Sequence, residues 1–435
     1  MGWYPQCLRL LGCVHDAALG PTCRSVLARM CGFIGSKRPQ SNATIKRRGP
    51  DKTVTLTTHG YTFIHNLLSI TGAFTPQPFM DGNIICLYNG EIYNHPYQAS
   101  DGEVLIPLYK RYGEDFIRHL DGEFAMALFD FDNEAAIYST DAFRTKPIWR
   151  NEYGVASYKS GVGDGTPLEP NTTIIRNLKT GKEKIQTVHD FDFSHQHKDH
   201  YDDWINAFER AIEKRGRDDC FIGLSSGYDS GAIDCALKRA GFKHKPYSIL
   251  GVEDWDVLTA RNTVLPFARR DFQLEHAYIK QYAEPFAYTI YGTTRCVTDE
   301  SAGVGLGFIC RLATSEGRRL YLSGQGADEI LSDYALIPHQ SDFKGTFPND
   351  LKPWRNFYYN CQEAYLAKEE HIAGAYGVEA RYPFLDTQVV QEFLWLKPEL
   401  KNMYYKAPLH IYLSRCGYPF KPQVKRGFEA GRNLL

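Results

Sequence analysis

Three short apolar runs, Ile84-Ile85-Cys86-Leu87-Tyr88, Phe124 to Phe131 and Ala135 to Ser139, are each bounded by Gly, Asp or Asn and predict β-strands. Val104 to Tyr112 predicts a helix between them. Further along the period changes. Tyr201 to Lys214 sets Trp204, Ile205, Phe208 and Ile212 on one side of a predicted amphipathic helix. Phe221-Ile222-Gly223-Leu224 then predicts a strand, followed by a turn of small residues and a helix over Ala232 to Ala240. Lys245 to Leu250, Leu258 to Ala268, Gly303 to Ser315 and Arg319 to Ser323 continue an alternation of strand and helix signals. That alternation predicts an open parallel sheet flanked by helices, with ligands at the carboxyl ends of its strands.

The chain has 435 residues, enough for two domains, and a formal net charge of −1. No long basic run occurs, which argues against nucleic acid and membrane surfaces as partners, and no apolar run approaches transmembrane length. The 11 Cys are scattered without a Cys-x-x-Cys pair, so the pattern supports neither a zinc site nor a redox pair and fits reduced thiols in the cytoplasm. His189, His195, His197 and His200 cluster in a polar stretch that reads as a solvated linker, since no Cys or carboxylate framework accompanies them.

The turn after Phe221, Leu224-Ser225-Ser226-Gly227-Tyr228-Asp229-Ser230-Gly231, suits an anion. Small side chains let backbone N–H groups approach a phosphate, and the following helix N-terminus adds a partial positive charge. No Gly-Lys-Ser/Thr follows, which excludes a kinase-type P-loop. The order Ser-x-Gly-x-Asp-Ser resembles the pyrophosphate loop of ATP pyrophosphatases, with Ser226 in place of the usual glycine. Leu322-Ser323-Gly324-Gln325-Gly326-Ala327-Asp328-Glu329 and Gly377-Val378-Glu379-Ala380-Arg381-Tyr382-Pro383-Phe384-Leu385-Asp386 are similar to two further motifs of asparagine synthetase-like enzymes. Near the start, Met30-Cys31-Gly32-Phe33-Ile34-Gly35, Arg48-Gly49-Pro50-Asp51, Asn89-Gly90-Glu91-Ile92-Tyr93-Asn94, Ser100 to Val104, Leu120 to Ala125 and Asp141 to Pro147 resemble, in order, the segments of a class II glutamine amidotransferase.

The resemblance runs from Met30 to about Phe428 and implies a two-domain α/β and α+β protein of the glutamine-hydrolysing asparagine synthetase family. It implies an N-terminal, Ntn-type α/β/β/α sandwich and a C-terminal open parallel α/β sheet like that of the adenine nucleotide alpha hydrolases. The expected organisation is an extension over 1–30, removed or not translated, an amidotransferase domain over 31–185, a linker over 186–200 and a synthetase domain over 201–435. Cys31 is then the nucleophile, with its own α-amine as base once it is N-terminal. Asn89 and Gly90 form the oxyanion hole. Arg48, Leu67, Ile70, Asn89, Gly90, Glu91 and Asp101 are the expected glutamine-binding positions. Leu67 stands where the family has an arginine for the glutamine α-carboxylate, and Arg48 is the candidate substitute. Thr140 and Arg144 are further departures in this half.

For ATP the resemblance implies Leu224, Ser225, Ser226, Gly227, Asp229, Ser230, Ile249, Ser323, Gly324 and Lys425, with Lys406 on the phosphates and Asp229 and Asp328 holding Mg²⁺. Gln325 replaces a glutamate thought to assist the amine step, and Gln cannot act as a base. An acidic residue, Asp299 or Glu300, falls beside Ser301 where the family has an arginine for aspartate. The expected activity is ATP-dependent amidation of a carboxylate, such as aspartate, with nitrogen from glutamine. The expected partners are these small molecules, without nucleic acid or membrane, and the family allows a homodimer. Two alternatives stay open: a ligase with a silent glutaminase half that uses another amine, as β-lactam synthetases do, and a non-catalytic paralogue.

Overall fold

A computed structural model of the chain describes residues 31–249, 253–262, 264–265 and 269–422. The extension over 1–30, Leu250 and the segment holding Lys425 lie outside the described residues.

Two antiparallel six-stranded sheets come first. In one, the strands run Thr166–Pro167, Trp149–Arg150, Gly154–Ala156, Gly32–Ser36, Tyr61–Leu67, Lys52–Thr58. In the other they run Glu183–Thr187, Thr172–Asn177, Ala135–Thr140, Gly122–Asp130, Ile84–Ile92, Phe79–Asp81. The second sheet explains its own continuous apolar runs. Ile85, Leu87, Ala125, Ala127 and Phe129 point between the sheets, against Phe33 and Phe63. Their neighbours Ile84, Cys86, Tyr88, Phe124, Met126 and Leu128 point the other way, onto Leu105 and Ile106 of the helix Leu105–Tyr112. A strand buried on both faces loses the polar half of the two-residue period. The predicted helix begins as a 3-10 turn over Asp101–Val104. The outer face of the first sheet carries a thinner layer, the four-residue helix Ile45–Arg48, which contacts the later helix Cys361–Tyr376.

Residues 188–200 lie against the second half of the chain. Asp192 N–H donates to Gln391 Oε1, Phe191 stacks edge-on with Phe357, and Lys198 bridges Leu396. The helix Asp202–Arg215 follows, with Trp204, Phe208 and Ile212 buried. A five-stranded parallel sheet then forms in the order Val264–Leu265, Lys245–Ile249, Cys220–Gly223, Leu320–Leu322, Glu379–Arg381. The helix after the small-residue turn starts at Tyr228, four residues earlier than its apolar pattern predicts, and ends at Arg239. The helix Ser301–Ser315 leads into Leu320–Leu322, and the helix Cys361–Tyr376 lies between that strand and Glu379–Arg381 in the chain. The first strand is central, so the turn that follows it faces the ends of its neighbours.

Candidate active site

Two separate sites emerge. The first is a pocket between the sandwich and the parallel sheet, lined by Cys31, Leu67 to Thr71, Gly90, Glu91, Asp101 and Glu379 among others. The Cys31 thiol is held by Leu68, whose N–H donates to Sγ at 3.1 Å and whose carbonyl accepts at 3.4 Å. Burial pushes the thiol up to about 12. The strand Ile84–Ile92 runs through the Asn-Gly-Glu segment without turning, because it pairs throughout with Gly122–Asp130. Gly90 has φ +143° and lies so close to the facing strand that a Cβ would sit 2.0 Å from the Glu123 carbonyl oxygen. Asn89 is buried and its Nδ2 finds no partner among the described residues. Asp101 accepts from the Tyr88 hydroxyl and from Ile92 N–H. Burial raises Asp101, and raises Glu91 to about 8 despite Arg381 beside it.

Arg48 does not line this pocket. Its Nε donates to the Cys31 carbonyl at 2.9 Å, Nη1 donates to the Tyr158 hydroxyl, and Nη2 pairs with Glu370 at 2.9 Å, all in full burial. The structure therefore corrects the expectation that Arg48 substitutes for the arginine missing at Leu67: its guanidinium is already occupied by the second half of the chain. Arg144 is likewise drawn across, to Glu363 at 2.5 Å.

The second site lies at the carboxyl ends of the parallel strands. Ser225 Oγ and Ser230 Oγ are 2.8 Å apart, and Gly227 N–H donates to Ser225 Oγ. Ser226 N–H donates to Glu253 at 2.7 Å, a carboxylate standing at an amide expected to face phosphate. Arg261 braces the turn from behind, its Nη1 donating to the carbonyls of Ser225 and Gly227 at 2.6 and 2.8 Å. Leu224 N–H donates to Tyr247 O, which puts the turn level with the end of the strand that finishes at Ile249. The Ser323-Gly324-Gln325 motif meets the turn directly, since a Cβ on Gly324 would lie 2.9 Å from Asp229 Cβ. Lys406, 177 residues from Asp229, closes the group: Nζ lies 2.6 and 2.7 Å from the Asp229 oxygens and 2.9 Å from Asp328 Oδ1. Burial opposes its charge, but Asp229 and Asp328 outweigh that and hold the ammonium well above its ordinary value. Gln325 N–H donates to Ser323 Oγ.

Asp299 pairs with Lys280 at 2.9 Å and Glu300 with Lys368 at 3.2 Å, so both carboxylates at the helix start near Ser301 already face cations. Among the described residues no group of three His, Cys, Asp or Glu is poised to hold a metal ion.

Sequence reasoning missed Glu379 as a wall of the thiol pocket, although it stands inside the quoted Gly-Val-Glu-Ala-Arg motif. Arg381 of the same motif pairs with Glu91 and Glu379, both at 2.8 Å, and ties the two sites' frameworks together. Lys146 and Glu370, a fully buried pair at 2.8 Å, also went unassigned. Lys146 lay within the quoted Asp141 to Pro147 segment, whereas Glu370 carried no local signal.

Residues 30–162 match the family model described as a glutamine amidotransferase domain. The chain is 28% identical over 411 residues to the nodule asparagine synthetase (glutamine-hydrolysing) of Pisum sativum, covering 82% of this chain and 66% of that one. It is 28% identical over 404 residues to the asparagine synthetase of Asparagus officinalis and 27% over 407 to asparagine synthetase 1 of Arabidopsis thaliana, with the same coverage. It thus spans just under two thirds of the length of these relatives. A solved glutamine phosphoribosylpyrophosphate amidotransferase from B. subtilis aligns over 93% of this chain and 94% of its own at 13% identity, with a TM-score of 0.28, too low to bear on the fold. The chain is similar to glutamine-hydrolysing asparagine synthetases over most of its length, and its residues 30–162 match a glutamine amidotransferase domain.

Proposed function

We propose that this protein is an ATP-dependent carbon–nitrogen ligase that takes nitrogen from glutamine and amidates a carboxylate, with aspartate as the acceptor. The observation that carries the reading is the meeting of Asp229, Asp328 and Lys406, from three distant motifs, beside the Ser225–Ser230 turn. A separate pocket lined by Cys31 and Gly90, with Asn89 next to Gly90 in the chain, supports the glutaminase half. We divide the chain at 31–185, 186–200 and 201–435, and assign it to the cytoplasm, where scattered cysteines without a paired pattern stay reduced. No described helix is long and apolar enough to cross a membrane.

In the first pocket the Cys31 thiol attacks the glutamine side-chain amide. Asn89 Nδ2 and the Gly90 N–H donate to the developing oxyanion, ammonia leaves, and water hydrolyses the thioester. A thiol pushed up to about 12 is protonated at neutral pH, so a base must take its proton in the attack; the α-amine of a chain beginning at Cys31 is suited to it. In the second site the substrate carboxylate attacks the α-phosphorus of ATP and pyrophosphate departs. The Ser225–Ser230 turn and the Lys406 ammonium take up its charge. Ammonia then displaces AMP from the acyl-adenylate to leave the amide. Asp229 and Asp328 are partly exposed carboxylates, an all-oxygen set that suits Mg²⁺, which when bound neutralises phosphate charge.

The raised thiol and the lack of a cation among the described residues lining its pocket favour a second reading, a ligase with a silent glutaminase half and a different amine. Pyrophosphate release with ATP and aspartate separates the two. Release with glutamine supports the first reading, and release with ammonia but not with glutamine supports a silent glutaminase. Release with neither overturns the aspartate assignment.

A further inference from the structure

Three acidic side chains stand at the thiol pocket, two of them held by Arg381. Glu91, Asp101 and Glu379 line it, and among the described residues no Lys or Arg does. Glutamine brings an α-ammonium that these carboxylates suit, but also an α-carboxylate that they repel. Three described arginines of the flanking segments have other duties. Arg48 is buried on Glu370 and Tyr158. Arg381 pairs with Glu91 and Glu379, and Arg319 reaches Asp51 at 3.5 Å.

Arg217 differs from all three. It sits just before the strand Cys220–Gly223, in the second half of the chain, and its Nη1 donates to the carbonyl of Ile70, a residue of the pocket wall, at 2.9 Å. Its remaining nitrogens reach Asp219 at 3.0 and 3.4 Å, in a pair whose side chains are 37% and 50% exposed. Such a surface pair contributes little and is readily exchanged for a ligand. Arg217 also shares its surroundings with the pocket: the Tyr97 hydroxyl is pushed up by burial, Glu91 and Asp101 and drawn down by Arg381 and Arg217.

We propose that Arg217 is the specificity residue that receives the α-carboxylate of glutamine at the mouth of the thiol pocket, in place of the arginine absent at Leu67. This rests on the glutaminase reading above and goes beyond it, since the amide site is then completed by the other half of the chain. A fork of N–H donors anchored on the Ile70 carbonyl can turn its outer edge from Asp219 to a bound carboxylate without moving the backbone.

The test is calorimetric titration of the full chain carrying Cys31→Ala, which binds without turnover, with glutamine and with 4-aminobutanamide, the same amide lacking the α-carboxylate. Adding Arg217→Ala should weaken glutamine at least about tenfold, as expected for losing a hydrogen bond to a charged group, and leave 4-aminobutanamide unchanged or tighter. Arg217→Lys should recover part of the loss for glutamine. Equal weakening of both ligands would show a merely structural role and overturn the proposal, as would unchanged glutamine affinity. Absence of glutamine binding before Arg217 is altered would overturn both this proposal and the glutaminase half of the function, so the two failures are distinguishable.

Discussion

Glu370 joins the two halves of the molecule, and its removal offers a quantitative test of how they are held. Its carboxylate accepts from Arg48 Nη2 at 2.9 Å, Lys146 Nζ at 2.8 Å and the Tyr382 hydroxyl at 3.1 Å. The Arg48, Lys146 and Glu370 side chains are 0%, 1% and 1% exposed. One carboxylate thus stands between two buried cations from the sandwich. Backbone carbonyls satisfy the rest: Lys146 also donates to Ala380 O and Arg48 to Cys31 O. Glu370→Gln keeps the volume but leaves both cations without an opposing charge. Breaking a buried pair by removing one partner costs about 3–5 kcal/mol, because the stranded charge stays desolvated. The urea slope of a 435-residue chain exceeds the ~1–3 kcal/mol/M of small proteins, so the loss is read as the change in the product of slope and midpoint. Equilibrium urea unfolding followed by tryptophan fluorescence measures it, with Lys146→Met and the double variant completing a cycle whose coupling should exceed about 1 kcal/mol. A loss below about 1 kcal/mol for Glu370→Gln would refute the reasoning, since the cluster would then be worth no more than a surface pair.

Lys406→Met should lower pyrophosphate release about a hundredfold or more without unfolding the protein, because Asp229 and Asp328 keep contact with solvent once the ammonium is gone; an ATP-dependent pyrophosphate assay beside a thermal melt decides it. Cys31, raised to about 12, should react with iodoacetamide at a rate still climbing with pH through pH 10, with no plateau, when peptide mapping follows its alkylation. His65 is buried with Nε2 on the Tyr88 carbonyl, and burial lowers it to about 4. Its folded value lies below the unfolded one near 6.5, so the unfolded state binds more protons between them. Stability should therefore be full above pH 6.5 and fall by about 3 kcal/mol as pH drops to 4. Urea titrations of wild type and His65→Asn between pH 7 and 4 should show a shallower decline in the variant.

Much of both sites was legible in local sequence because the chemistry needs residues close together in the chain. Small residues at Ser225 to Gly227 make an anion turn wherever they occur between a strand and a helix. Gly90 has to be glycine because the facing strand approaches too closely for any Cβ. The double-sided burial of Ile84–Ile92 and Gly122–Asp130 showed in their unbroken apolar runs. Strand and helix periods are nearest-neighbour properties, and they carry the fold class with them.

Pairing across hundreds of residues was decided elsewhere. Arg48 reads as a free cation beside an amidotransferase motif; only the approach of the helix Cys361–Tyr376 gives it Glu370, 322 residues away. Glu379 became a wall of the thiol pocket because its strand, at the edge of the parallel sheet, ends beside Arg381's partner Glu91. Charge on a side chain says that a partner is needed once it is buried, and the packing of one half against the other selects which partner that is.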